Sequence, residues 1–111
     1  MEATARFESV LAALADPTRR AILDRLAQGP ARVTDVAAPF AISLPAISRH
    51  VRLLEESGLV RRARHGREHI LQLDAEPLHA LHRWASQYER YWNSKLDRLE
   101  QFFTAHPENT P

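Results

Sequence analysis

Cysteine is absent from the chain, which excludes disulfides, thiolate metal sites and cysteine nucleophiles at once. Glycine is scarce, with three residues in 111. That leaves little for a phosphate cradle, and no Ser/His/Asp, Cys/His or phosphate-loop motif occurs, so the chain does not read as an enzyme. No apolar run approaches the ~18 residues that a membrane-spanning helix needs. The start, MEATARFESV, lacks the basic-then-apolar order of a signal peptide, so no membrane partner is expected and the cytoplasm is the expected location. Lysine is almost missing: Lys95 stands alone among fifteen basic residues, and the rest are arginine. Arginine is the better bidentate partner for phosphate and guanine, although a GC-rich genome leaves the same bias.

With 44% hydrophobic residues the chain is globular. Its length suits one domain, expected over residues 1–104 and followed by a flexible polar tail at 105–111. A core this small leaves modest stability, which burial against a second copy would raise. The net charge is only +1, but it is unevenly spread. Residues 43–69 hold six Arg against three Glu, with three His besides, whereas residues 1–42 balance and residues 70–111 are acidic. Positive charge gathered on one stretch is the footprint of a nucleic-acid binder.

That stretch opens with SLPAISRHVRLLEESG, residues 43–58. Ser43 is a helix N-cap, Pro45 sits in the first turn and Gly58 is the stop. Ile47, Val51 and Leu54 recur at i, i+4, i+7, and Leu44 and Leu53 widen the apolar stripe. The opposite face carries Pro45, Ser48, Arg49, Arg52 and Glu56. Small, hydroxylic and guanidinium groups suit a major groove; an ordinary amphipathic helix with a solvated face has the same pattern.

Upstream, residues 2–15 form a first helix with Phe7, Val10, Leu11 and Leu14 on one side. Asp16-Pro17 starts a second helix, which carries Ile22, Leu23 and Leu26 inward and ends at Gly29-Pro30. Ala31 to Val33 is an extended link or a minimal strand. Thr34 is the N-cap candidate of a short helix that Pro39 terminates. Short helix, tight turn and longer helix give the helix-turn-helix order. After Gly58, LVRRAR and EHILQL flank His65-Gly66-Arg67 as a β-hairpin, and its tip places Arg67 to enter a minor groove. A surface hairpin with solvated arginines is the plainer reading.

The longest element is a single helix from Asp74 to Phe103. Leu78, Leu81, Ala85, Tyr88, Trp92, Leu96, Leu99 and Phe103 step by three or four, with Trp84, Tyr91 and Phe102 beside them. From Leu78 to Phe103 it spans about 39 Å, longer than so small a domain covers by itself. Both tryptophans and both tyrosines fall here, and such residues are enriched in interface cores. Pairing with a twin and with the first helix gives a homodimer; folding back over its own core is the alternative. The expected fold class is mainly α with a small two-stranded β wing, a winged helix-turn-helix in the order α-α-(β)-α-α-β-β-α.

These residues resemble the ArsR/SmtB family of bacterial winged-helix repressors. The resemblance rests on Ala12 to Leu23 (with the core Ala15-Asp16-Pro17-Thr18-Arg19-Arg20), Ser43 to Val51, Leu53 to Val60 and Gly66-Arg67-Glu68, and covers about residues 5 to 103. It implies a homodimer with first and last helices at the interface, imperfect palindromic operators near promoters, and repression until an inducer binds. Ser43, Ser48 and His50 match the family's DNA-facing positions, and Arg67 its wing tip. With the residue-level reading, the candidate DNA-binding set is Ser43, Pro45, Ala46, Ser48, Arg49, His50, Arg52, Arg64, His65 and Arg67. The candidate dimer interface is Phe7, Val10, Leu11, Leu14, Leu81, Trp84, Tyr88, Tyr91, Trp92 and Leu96.

The family's thiol metal sensors carry a cysteine pair on the short helix, where this chain has Val33-Thr34-Asp35-Val36-Ala37-Ala38. Candidates for the other metal site are Asp74, His79, His82 and Glu89, at spacings that depart from the family's pairs. His79 and His82 at i, i+3 leave a zinc-responsive reading open, but no metal or other cofactor is expected. The remaining partners are double-stranded operator DNA, a second copy and an unidentified small-molecule effector. A winged-helix protein-interaction module without DNA binding is the alternative function.

Overall fold

The computed structural model describes residues 2–105; the expected tail beyond Ala105 lies outside the described residues. The elements are α1 (Glu2–Leu14), α2 (Pro17–Leu26), β1 (Ala31–Arg32), α3 (Val33–Ala37), α4 (Leu44–Glu56), β2 (Val60–His65), β3 (Glu68–Leu73), α5 (Glu76–Ser86) and α6 (Glu89–Ala105). The chain divides into two compact units after Ala80.

In the first unit each long helix starts where side-chain chemistry starts it. Asp16 Oδ2 accepts the Arg19 amide N–H at 3.0 Å, and Ser43 Oγ accepts that of Ala46 at 3.3 Å. Each cap satisfies one N–H that the helix leaves without a partner. Helix α4 stops in a Schellman arrangement: Gly58, at φ +82°, donates to Glu55 O, and Leu59 donates to Leu54 O, both at 3.0 Å. Leu54 and Leu59 are both fully buried, supplying the apolar contact that accompanies this stop. Helix α3 departs from expectation. It begins at Val33 directly off β1, Arg32 caps it without a side-chain bond, and Thr34 lies inside the helix.

The core combines Ile22, Leu23 and Leu26 of α2, Val36 of α3, Ile47, Val51 and Leu54 of α4, and Leu59, Val60 and Leu71 from the hairpin. Each large side chain so buried contributes about 1.5–3 kcal/mol relative to exposure. Val10 and Ala13 of α1 complete it. The link at Ala31–Arg32 is a strand that pairs with β3, Ala31 opposite Leu71, so the antiparallel sheet has three strands in the order β1-β3-β2. Hairpin pairing runs from Val60 opposite Leu73 to His65 opposite Glu68. Gly66 at φ +65° occupies the first central turn position, where a II′ hairpin requires positive φ.

The expected single helix over 74–103 is two helices. Ser86 Oγ bonds Arg83 O at 3.0 Å and Gln87 Nε2 bonds Trp84 O at 2.9 Å. The Tyr88 amide takes Ala85 O, three residues back, and Trp92 N–H then bonds Tyr88 O in α6. Side chains that bind the last carbonyls compete with helix continuation. Among the described residues, no helix is long and apolar enough to cross a membrane.

Candidate nucleic-acid interface

The six arginines of the helix and hairpin separate into two groups. Arg62 Nη2 lies 2.8 Å from Glu55 Oε1, tying β2 to α4. Arg62 shares a sheet face with buried Leu71, its cross-strand partner, so its stem covers the core while its head meets Glu55. On the other face, Arg61 Nη2 pairs with Asp74 Oδ2 at 2.9 Å. Arg64 Nε donates to Gly66 O at 3.0 Å, closing over its own turn. The side chains of Arg49, Arg52 and Arg67 have no hydrogen-bond or ion-pair partner among the described residues, and all three are exposed. Three guanidinium groups are thus left for an outside anion, on the two elements that a DNA-binding reading requires.

Between the start of α4 and the hairpin lies an open cleft of about 350 Å³, lined by Leu44 and Ser48 of α4, Arg62, Arg67, Glu68 and His69 of the wing, and Arg32, Val33 and Thr34. Arg32 holds Asp35 and Glu68 at 3.0 Å each, linking α3 to the wing. Ser43, Pro45, Arg49, Arg52, Arg64, His65 and Arg67 are all exposed, and Ala46 and Ser48 are half-buried.

One expectation changes here. Leu44, three residues before Ile47, fits the apolar stripe by spacing but is 49% exposed, and Leu53 is exposed as well. The buried stripe is Ile47, Val51 and Leu54. His50, matched to a DNA-facing position, has its Nδ1 directed at the α1–α2 corner, 3.2 Å from Arg19 Nη1 and 3.9 Å from Asp16 Oδ2. Arg19 in turn donates to Ala13 O at 2.7 Å and to Ala12 O at 3.0 Å. Periodicity carries no signal for Arg19 or Arg62, because their partners are 31 and 7 residues away.

The Arg19 amide holds the Asp16 carboxyl below the usual carboxylate range; desolvation opposes it, and His50, the Arg19 guanidinium and the Thr18 amide assist. Asp74 is lowered likewise by the Glu76 amide, against desolvation and with help from Arg61.

On the expected interface residues, Val10 is a correction. It is 2% exposed and belongs to its own chain's core, and Leu14 packs half-buried against that core. Phe7 is half-buried and Leu11 exposed. In the second unit Leu81 is half-buried, while Trp84, Tyr88, Tyr91, Trp92 and Leu96 are exposed, joined by Leu99, Phe102 and Phe103. Trp84 and Tyr88 meet edge to face at 5.4 Å, and Lys95 Nζ lies 4.7 Å from the Tyr91 ring centroid. Among the described residues, no three His, Cys, Asp or Glu side chains stand together as metal ligands, His79 and His82 included.

A capped helix over a three-stranded sheet, preceded by a short helix and flanked by an arginine-bearing hairpin, defines a winged helix-turn-helix protein of the DNA-binding regulator class. A helix-turn-helix domain family matches residues 14–63. An HTH-type transcriptional regulator of Mycobacterium tuberculosis is 37% identical over 98 residues, 88% of this chain and 89% of that protein. The crystal structure of an ArsR family transcriptional regulator superposes with a TM-score of 0.74 at 39% identity, over 79% of this chain and 97% of that one. The solution structure of the homodimeric winged helix-turn-helix DNA-binding domain of Mb0332 from Mycobacterium bovis gives 0.65 at 28% identity, over 79% and 84%. The chain belongs to the ArsR/SmtB family of transcriptional regulators.

Proposed function

We propose that the protein is a homodimeric repressor that reads a palindromic operator, α4 entering the major groove of each half-site and the wing tip lying along the adjacent backbone or minor groove. The observation that carries this reading is the set of unpaired guanidinium groups at Arg49, Arg52 and Arg67, beside a wing whose remaining arginines are held by acids or by its own turn. Ser43, Pro45, Ala46 and Ser48 permit close approach along the same helix, and Arg64 and His65 flank the tip. His50, whose Nδ1 faces the α1–α2 corner, keeps its place in the DNA-facing set. Residues 1–104 act as one functional domain, and the candidate contacts between copies are Phe7 and Leu11 in the first unit and, separately, the aromatic row in the second. The homodimeric Mb0332 domain supports that assembly, and two copies place their recognition helices about 34 Å apart, in successive major grooves.

Fluorescence anisotropy against the protein's own promoter DNA, across a salt series with zinc or EDTA, tests the reading. Specific binding that weakens steeply with salt, as counterion release requires, and that ignores zinc is the expected result. Loss of binding on adding zinc would bring His79 and His82 back as ligands. Salt-independent binding to a protein, with no DNA affinity at any salt, would replace the operator with an interaction partner.

A further inference from the structure

Leu44 is an apolar side chain where the core has no use for it. It is the first residue of α4, half exposed, while the burial of that helix rests on Ile47, Val51 and Leu54. It lines the cleft between helix and wing, where Glu55 and Arg32 hold Arg62 and Glu68 and leave Ser48, Arg67 and His69 around it. Those neighbours offer hydroxyl, guanidinium and imidazole groups, the chemistry that meets phosphates and base edges. The N-terminal turn of a recognition helix is also the part that reaches base edges in helix-turn-helix proteins. On the floor of the major groove the apolar feature is the C5-methyl of thymine. We propose that Leu44 is a specificity-determining residue that reads one thymine per half-site through that methyl group. The proposal rests on the operator reading above and adds a base identity to it. A leucine resting on deoxyribose would be indifferent to the base, so base dependence is the property to test.

The full chain is used to enrich binding sites from a random duplex library. Each conserved thymine in the enriched site is then replaced singly by deoxyuridine, which keeps base pairing and removes only the methyl group. Burial of one such carbon is worth about fourfold in affinity, so deoxyuridine at one position of each half-site is expected to weaken binding about fourfold, and the other replacements much less. In Leu44→Ala the ratio of thymine to deoxyuridine affinity falls to one at that position, while Leu44→Met restores it. Ile42→Ala, an exposed neighbour that does not line the cleft, keeps the wild-type ratio. Circular dichroism confirms that the variants fold; Leu44 is exposed at a helix start, so they should. Indifference of the wild type to every deoxyuridine, or a ratio unchanged in Leu44→Ala, overturns the role of Leu44 and leaves the operator reading intact. Failure to enrich any sequence removes both.

Discussion

Arg19 divides its guanidinium between two helices besides its own: two N–H groups cap carbonyls at the end of α1, and a third nitrogen faces His50 on α4. Its loss leaves the Ala13 carbonyl and one imidazole to find solvent, while Ala12 O keeps the Ala15 amide. Hydrogen bonds from charged donors are worth about 1.5–3 kcal/mol each when part-buried, and partial exposure reduces the sum. Arg19→Ala is expected to lower unfolding stability by about 1–2 kcal/mol in urea titrations. Arg19→Lys recovers only part, because an ammonium cannot serve two carbonyls in the fork geometry. Asp16, in the same cluster, sets an acid limit. Its folded pKa lies below the ordinary value, so in acid the unfolded chain binds more protons and stability rises with pH. The contribution is complete above the unfolded pKa of about 3.9 and disappears as pH falls through the folded value. Asp16→Asn keeps a capping oxygen but removes the titration. Below pH ~4 its Tm should therefore fall less steeply than that of the wild type, with Asp74 supplying part of the slope that remains. Parallel Tm-versus-pH curves for the two proteins would show that Asp16 is not a source of acid sensitivity.

Helix α4 and the wing are joined by Arg62–Glu55, so the cleft between them has a fixed wall, whereas Arg67 at the tip is unpaired. Phosphate binding and base reading then separate experimentally. Arg67→Ala is expected to weaken operator and random DNA by the same factor and to reduce the salt slope by about 0.9 for each phosphate that Arg67 neutralises. Ser48→Ala and Arg49→Ala should instead change the preference among half-site sequences; a weakening confined to one base position in Arg67→Ala would assign the wing a base to read. The elements on which these residues ride are legible in the sequence wherever local chemistry decides. Asp16-Pro17, Ser43-Leu44-Pro45 and Gly58 mark helix boundaries by caps that act within four residues, and Gly66 marks the wing turn by its φ. What is not legible depends on distant neighbours. Ala31–Val33 reads equally as a link or a minimal strand, and β3, forty residues later, decides for the strand by pairing with it. Leu44 fits the stripe by spacing, yet half of it stays exposed. Val10 has the spacing of an interface residue, but its own core takes it. The break at Gln87-Tyr88 falls in an unbroken apolar repeat, since Ser86 and Gln87 act on carbonyls and not on periodicity.

At the scale of the whole molecule the second unit poses the physical problem. Trp84, Tyr88, Tyr91, Trp92, Leu96, Leu99, Phe102 and Phe103 are all exposed in the single chain, Trp92 by 61% and Leu96 by 59%. A monomeric protein rarely leaves so many large apolar groups in water, and a patch of this kind marks an interaction surface. The T-shaped ring pairs and the Lys95 ammonium near Tyr91 satisfy some of the rings' electrostatics without removing them from water. A second copy would do so, and would also supply the second recognition helix that a palindrome needs. Leu96→Glu puts a carboxylate into that proposed seam while leaving the core of the first unit untouched. The variant is expected to sediment as a monomer with its helical signal largely kept. Its affinity for the full operator should fall by at least ~100-fold, because one half-site no longer holds the other subunit at high effective concentration. Its affinity for a single half-site should stay close to that of one wild-type subunit, which separates loss of assembly from damage to α4. A Leu96→Glu protein that still sediments as a dimer would place the seam elsewhere, with exposed Leu11 on α1 the next position to test.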